Sequence, residues 1–123
     1  MIASDYNSDR AFSDFPLSPE VLQGITEKGY TIATGVQAAA IEPAVAGRDL
    51  VVRSKTGTGK TAAFCIPMVE RIKAGDRKTR AIVLAPTREL ARQVAEECTA
   101  IAQYKDIRVT VIYGGVGLSL IHI

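Results

Sequence analysis

The chain has 123 residues, 47% of them hydrophobic and 23% charged, with a formal net charge of +2. That length fits one domain or part of one, and the composition excludes a disordered polyelectrolyte and a collagen-like or disulfide-scaffold class. A pI near 8.6 permits contact with a polyanion but falls short of the basic footprint that announces nucleic-acid binding unaided. No basic start leads into an apolar run, and no apolar stretch has the length to cross a bilayer, so a cytoplasmic location without membrane contact is expected. Cys65 and Cys98 lie far apart without a C-x-x-C spacing or partner histidines, and are read as buried reduced thiols rather than a zinc site or a disulfide.

In chain order, Ser18-Pro19-Glu20 predicts a capped helix start with an apolar face on Val21, Leu22 and Ile25, closed by Gly29. A second helix is predicted from about Val36, kinked or restarted at Pro43 and closed by Gly47. Three β-branched runs follow, Leu50–Arg53, Arg80–Ala85 and Arg108–Tyr113, separated by helical patterns over 61–73 and 88–104. The order β-α-β-α-β predicts an α/β fold, a parallel sheet with helices on both faces, whose ligands sit at the strand-to-helix turns. The charged run Lys73–Arg80 reads as a solvated loop.

The turn after the first run is Ser54-Lys55-Thr56-Gly57-Thr58-Gly59-Lys60-Thr61, the tail of a phosphate-binding loop with Ser54 at the place of its first glycine. Gly57 and Gly59 allow successive N–H groups to face a polyphosphate, and the following helix adds its positive end. Lys60 is placed to reach the terminal phosphates and Thr61 to bind Mg2+. Gly57, Gly59 and Ala62 also satisfy a dinucleotide-type G-x-G-x-x-A with Asp76 downstream, a pattern that leaves Lys60-Thr61 unexplained.

Upstream stand Gly29-Tyr30, Thr34 and Gln37, with Phe12 seventeen residues before Gly29. This constellation resembles the Q motif of DEAD-box ATP-dependent RNA helicases. The resemblance implies that Gln37 selects adenine, through the bidentate amide pairing that also reads adenine in DNA, and that Tyr30 stacks on the base. Phe12 is read either as packing beneath the adenine pocket or as an anchor of the N-terminal segment to the core, with the anchor preferred.

Pro86-Thr87-Arg88-Glu89-Leu90-Ala91 is similar to the family's motif Ia, and Gly114-Gly115 to its GG element. Both imply contacts with the sugar-phosphate backbone of RNA, through Pro86, Thr87, Arg88, Gly114 and Gly115. Thr87 is equally a helix N-cap with Glu89 in the first turn. The resemblance covers roughly Phe12 to Gly117 and implies a partial P-loop, RecA-like domain over 12–117, truncated after about three strands. A flexible lead over 1–11 and an atypical tail over 118–123 are expected to flank it.

No Asp-Glu-Ala-Asp run occurs, and the second RecA-like domain of the family is missing from the chain. The implied activity is RNA-stimulated ATP hydrolysis coupled to local duplex unwinding, of which this chain is expected to perform ATP binding at most. The alternatives are another P-loop NTPase and an inactive nucleotide- or RNA-binding piece.

Overall fold

The computed structural model describes residues 7–55, 57 and 59–114. In chain order these form strand β1 (Asn7–Ala11), a 3-10 turn (Phe12–Asp14), helix α1 (Pro19–Glu27), strand β2 (Ile32–Thr34) and helices α2 (Gly35–Val45), α3 (Lys60–Arg71) and α4 (Arg88–Ile101).

Helix α1 begins as its sequence dictates, with extended Ser18 ahead of Pro19. Its cap differs from expectation, because the Ser18 side chain makes no capping bond and its buried hydroxyl has no partner among the described residues. The Ser18 N–H instead donates to Glu70 Oε1 of α3 at 2.6 Å, tying the start of one helix to the end of another. At the other end Gly29 takes φ +84°. Gly29 N–H then donates to the Thr26 carbonyl and Tyr30 N–H to the Ile25 carbonyl, satisfying two carbonyls that the helix leaves open.

Helix α2 opens on a capping box: Thr34 Oγ1 accepts from Gln37 N–H, and the Gln37 side chain accepts from Thr34 N–H. It carries Pro43 in its interior and closes at Gly47 by the same pair of bonds, from Gly47 to Ala44 and from Arg48 to Pro43.

The buried faces of the helices supply the core, in which Ile25, Ile41, Ile66 and Ile101 are fully enclosed. Each such side chain stabilises the fold by about 1.5–3 kcal/mol relative to exposure. Helices α1 and α4 approach backbone to backbone, since a Cβ on Gly24 would lie 2.1 Å from the Ile101 carbonyl oxygen. Beyond α4, Lys105 Nζ donates to the Val69 and Glu70 carbonyls at 2.8 and 3.0 Å and neutralises the negative end of α3.

Three further sequence expectations differ from the structure. Of the lead read as flexible, Asn7–Ala11 is an antiparallel strand paired with β2 (Asn7 opposite Thr34, Ala11 opposite Ile32). That pairing delivers Phe12 into the core, 3% exposed and beside Phe15 and Tyr30, which agrees with its reading as an anchor.

Cys65 and Cys98 are joined in a disulfide, with Cα atoms 5.5 Å apart. Chain spacing predicted free thiols because it is blind to which helix faces meet. Both cysteines sit on the buried faces that α3 and α4 turn toward each other.

The runs Leu50–Arg53, Arg80–Ala85 and Arg108–Tyr113 occupy their expected places between the helices, yet no strand ladder joins them among the described residues. β-branched patterning reports a preference for a half-buried pleated surface, and pairing further requires a neighbour in register. Here Val51, Ile82 and Leu84 are 80–93% exposed. Leu50, Val52 and Ala81 to Ala85 instead form one wall of a groove beside α3. The expected tail over 118–123, residues 1–6, and Thr56, Thr58 and Gly115 lie outside the described residues.

Candidate functional site

The phosphate-type turn runs into the N-terminus of α3. Gly57 and Gly59 have φ of +85° and +83°, the left-handed region where a side chain is strained. Gly59 is the N-cap of α3 and offers no side-chain cap, so no side chain of the cap residue covers the first-turn N–H groups. A Cβ there would lie 2.3 Å from Gln37 Nε2, so the position excludes side chains by space as well as by φ.

Lys60 Nζ donates to the Ser54 carbonyl at 2.7 Å, a contact that folds the ammonium over the turn. Thr61 follows it in the first helical turn, partly buried. Both line an open groove of about 1640 Å³ together with Tyr30, Gly57 and Gly59. Among the described residues no group of three His, Cys, Asp or Glu side chains could hold a metal ion.

Gln37 is 4% exposed and its amide is engaged at both ends. Oε1 accepts from Thr34 N–H at 2.9 Å, and Nε2 donates to the Gly59 carbonyl at 3.3 Å. The structure therefore places Gln37 at the foot of the phosphate turn, as a strut between the start of α2 and the start of α3. Sequence reasoning found the residue but missed this link, although Thr34-x-x-Gln37 is itself a capping-box signature.

Tyr30 donates from its hydroxyl to Glu97 Oε1 at 3.0 Å, while Lys28 Nζ pairs with Glu97 Oε2 at 2.7 Å. Burial chiefly, then the hydrogen bond to Glu97 and its charge, push the Tyr30 phenol up to about 12. Lys28 and Glu97 carry no motif, and only contact between the α1 exit and α4 reveals them.

At the second turn, Thr87 Oγ1 accepts from Leu90 N–H at 3.1 Å, so its hydroxyl caps α4. Arg88 donates to the Gly114 carbonyl, and its guanidinium lies 5.2 Å from the Tyr113 ring centroid. The structure thus brings the Pro86-Thr87-Arg88 turn and Gly114 together through one side chain. The charged loop 73–80 is exposed apart from the partly buried Asp76, with Arg77 paired to Asp106 and Arg80 to Asp76. The backbone N–H of Lys78, followed by Arg80, holds the Asp76 carboxyl below its usual range.

The family profile described as DEAD/DEAH box helicase matches residues 34–120. The chain is 45% identical over 107 residues to the ATP-dependent RNA helicase dhh1 of Aspergillus clavatus, covering 87% of this chain and 21% of that protein. Among solved structures it is similar to a DEAD box protein from Methanococcus jannaschii, with a TM-score of 0.79 and 33% identity over 93% of this chain and 31% of the other. It is also similar to S. cerevisiae Dbp5 bound to RNA and ADP BeF3, with a TM-score of 0.76 and 35% identity over 79% of this chain and 25% of that one. These neighbours agree with the α/β, RecA-like class read from the sequence. The chain spans about a fifth of the length of the curated relatives it matches.

Proposed function

This chain belongs to the DEAD/DEAH box helicase family, and on that premise we propose that it forms the ATP-binding half-site of an ATP-dependent RNA helicase, within a domain over 12–117. The observation that carries the reading is the bond from Gln37 Nε2 to the Gly59 carbonyl, which fastens the start of α2 to the phosphate turn.

In this reading Ser54 to Thr61 wrap the phosphates, with the N–H groups of the α3 first turn facing them. Lys60 leaves the Ser54 carbonyl and transfers its charge-assisted bonds to the terminal phosphates. The Thr61 hydroxyl fits one position around Mg2+, an ion that fills its remaining positions from phosphate oxygens and water rather than from an all-protein cage. When bound, the ion neutralises phosphate charge. Tyr30, on the same groove, offers a ring face to adenine, and Gln37 selects that base by turning its amide from Thr34 and Gly59.

Pro86, Thr87, Arg88, Gly114 and Gly115 form the proposed RNA-backbone contact, sequence-tolerant and weakened by salt. Hydrolysis and duplex opening belong, in this proposal, to a protein of the relatives' length with a second RecA-like domain. The cytoplasmic location expected from the sequence is part of the same proposal. No described helix is long and apolar enough to cross a membrane.

The test is binding of a fluorescent ATP analogue with magnesium, competed by GTP and repeated with Gln37→Ala. Selective ATP binding whose ATP-to-GTP ratio collapses in the variant supports adenine selection by Gln37. An unchanged ratio with weaker binding of both nucleotides restricts Gln37 to bracing the loop. No binding by the folded wild-type chain overturns the half-site.

A further inference from the structure

The two cysteines of the chain stand in separate helices, one turn inside the start of α3 and near the end of α4, and their side chains meet in the core. Their Cα separation of 5.5 Å lies at the commonest value for disulfides. The residues between them include the charged loop 73–80, the run Arg80–Ala85 and the whole Pro86-Thr87-Arg88 turn. Closing the bond therefore turns this stretch into a covalent ring anchored one turn behind Lys60 and Thr61.

We propose that Cys65 and Cys98 are a redox-exchanged lock between the helix that begins at the phosphate turn and the helix that begins at Pro86-Thr87-Arg88. The exchange partner is a small-molecule disulfide such as oxidised glutathione. One cysteine thiolate attacks a sulfur of that disulfide, forming a mixed disulfide and releasing one small thiol. The second cysteine thiolate then displaces the other small thiol and closes Cys65–Cys98. Two protein thiols are oxidised, one small disulfide is reduced, and the two protons leave with the two small thiols.

Cys65 and Cys98 are 0% and 3% exposed, so neither sulfur is open to a reagent while α3 and α4 stay packed. Exchange must pass through separation of the two helices, which makes the lock slow to set and slow to release. In the locked state the two helices cannot part, whatever occupies the groove beside them. In the dithiol state the same contact rests on packing and on Lys105 against the α3 carbonyls.

The test uses the full chain equilibrated with oxidised glutathione under mild urea, returned to buffer, and measured by intact mass and by alkylation after denaturation. The expected result is a monomer lighter by two hydrogens with no alkylated cysteine. Dithiothreitol should release it at least ten-fold faster in sub-denaturing urea than in buffer, and reduction should lower the Tm by roughly 10 °C. Cys98→Ala should show no Tm response to reductant.

Two alkylated cysteines in the glutathione-equilibrated protein, or a disulfide-linked dimer in place of the lighter monomer, would overturn the proposal. So would equal Tm shifts in wild type and Cys98→Ala. Should that variant fail to fold, the mass and alkylation results on wild type decide alone. None of these readouts involves nucleotide, so their outcome is independent of the half-site reading.

Discussion

The two helices that carry the candidate site begin in opposite ways. Helix α3 starts at Gly59, a left-handed glycine that has no capping side chain and lines a groove together with Lys60 and Thr61. Helix α4 starts at Thr87, whose hydroxyl already serves Leu90 N–H, and its next residue is spent on Gly114. In the proposed reading the first end receives an anion from outside the chain, whereas at the second the cap side chain already serves one first-turn N–H. What stands at the cap thus decides whether a helix N-terminus keeps its first N–H groups open or has one of them already served.

Substitutions at the two ends should separate these roles. Gly59→Ala is expected to have the largest effect, costing about 2–3 kcal/mol through left-handed strain and displacement of the Gln37 amide, and abolishing MgATP binding with it. Urea unfolding together with nucleotide titration reads both losses, and a variant as stable as wild type would show that the loop relaxes freely. Lys60→Ala should weaken MgATP binding by about 2 kcal/mol, roughly 30-fold, with the urea midpoint nearly unchanged.

Thr87→Ala should cost about 1 kcal/mol of stability from the lost cap while leaving MgATP affinity as it was. A drop in nucleotide affinity there would break the contrast. The smallest effect is expected at Tyr30. Its folded phenol ionises at about 12 against an ordinary value of 10.0, so the stability it contributes is complete below about pH 10 and is lost as pH rises through 12. Tyr30→Phe should flatten that alkaline decline, which unfolding curves across the range would measure.

The parts of this molecule legible in the sequence are those fixed by nearest neighbours. Pro19, Gly29 and Gly47 marked helix ends because a locked φ or a left-handed turn acts locally. Gly57-x-Gly59-Lys60-Thr61 marked a left-handed glycine turn leading into α3 for the same reason. What escaped depends on which surfaces meet. The disulfide, the Tyr30–Glu97–Lys28 cluster and the strut from Arg88 to Gly114 each join residues far apart in the chain. β1 escaped because Asn7-Ser8-Asp9-Arg10-Ala11 has no β-branched residue, and its pairing is set by Ser8 reaching the Ala33 carbonyl and by the ladder itself. The three apolar runs show the converse, where a strong local preference is present and no ladder accompanies it among the described residues.

The contact of Gly24 with the Ile101 carbonyl works as a notch. Any residue other than glycine at position 24 would press a Cβ into the Ile101 carbonyl, where the packed backbones leave no room for it. The helix pair is therefore indexed by a missing atom, and the bonds from Lys28 and Tyr30 to Glu97 fasten the α1 exit at that setting.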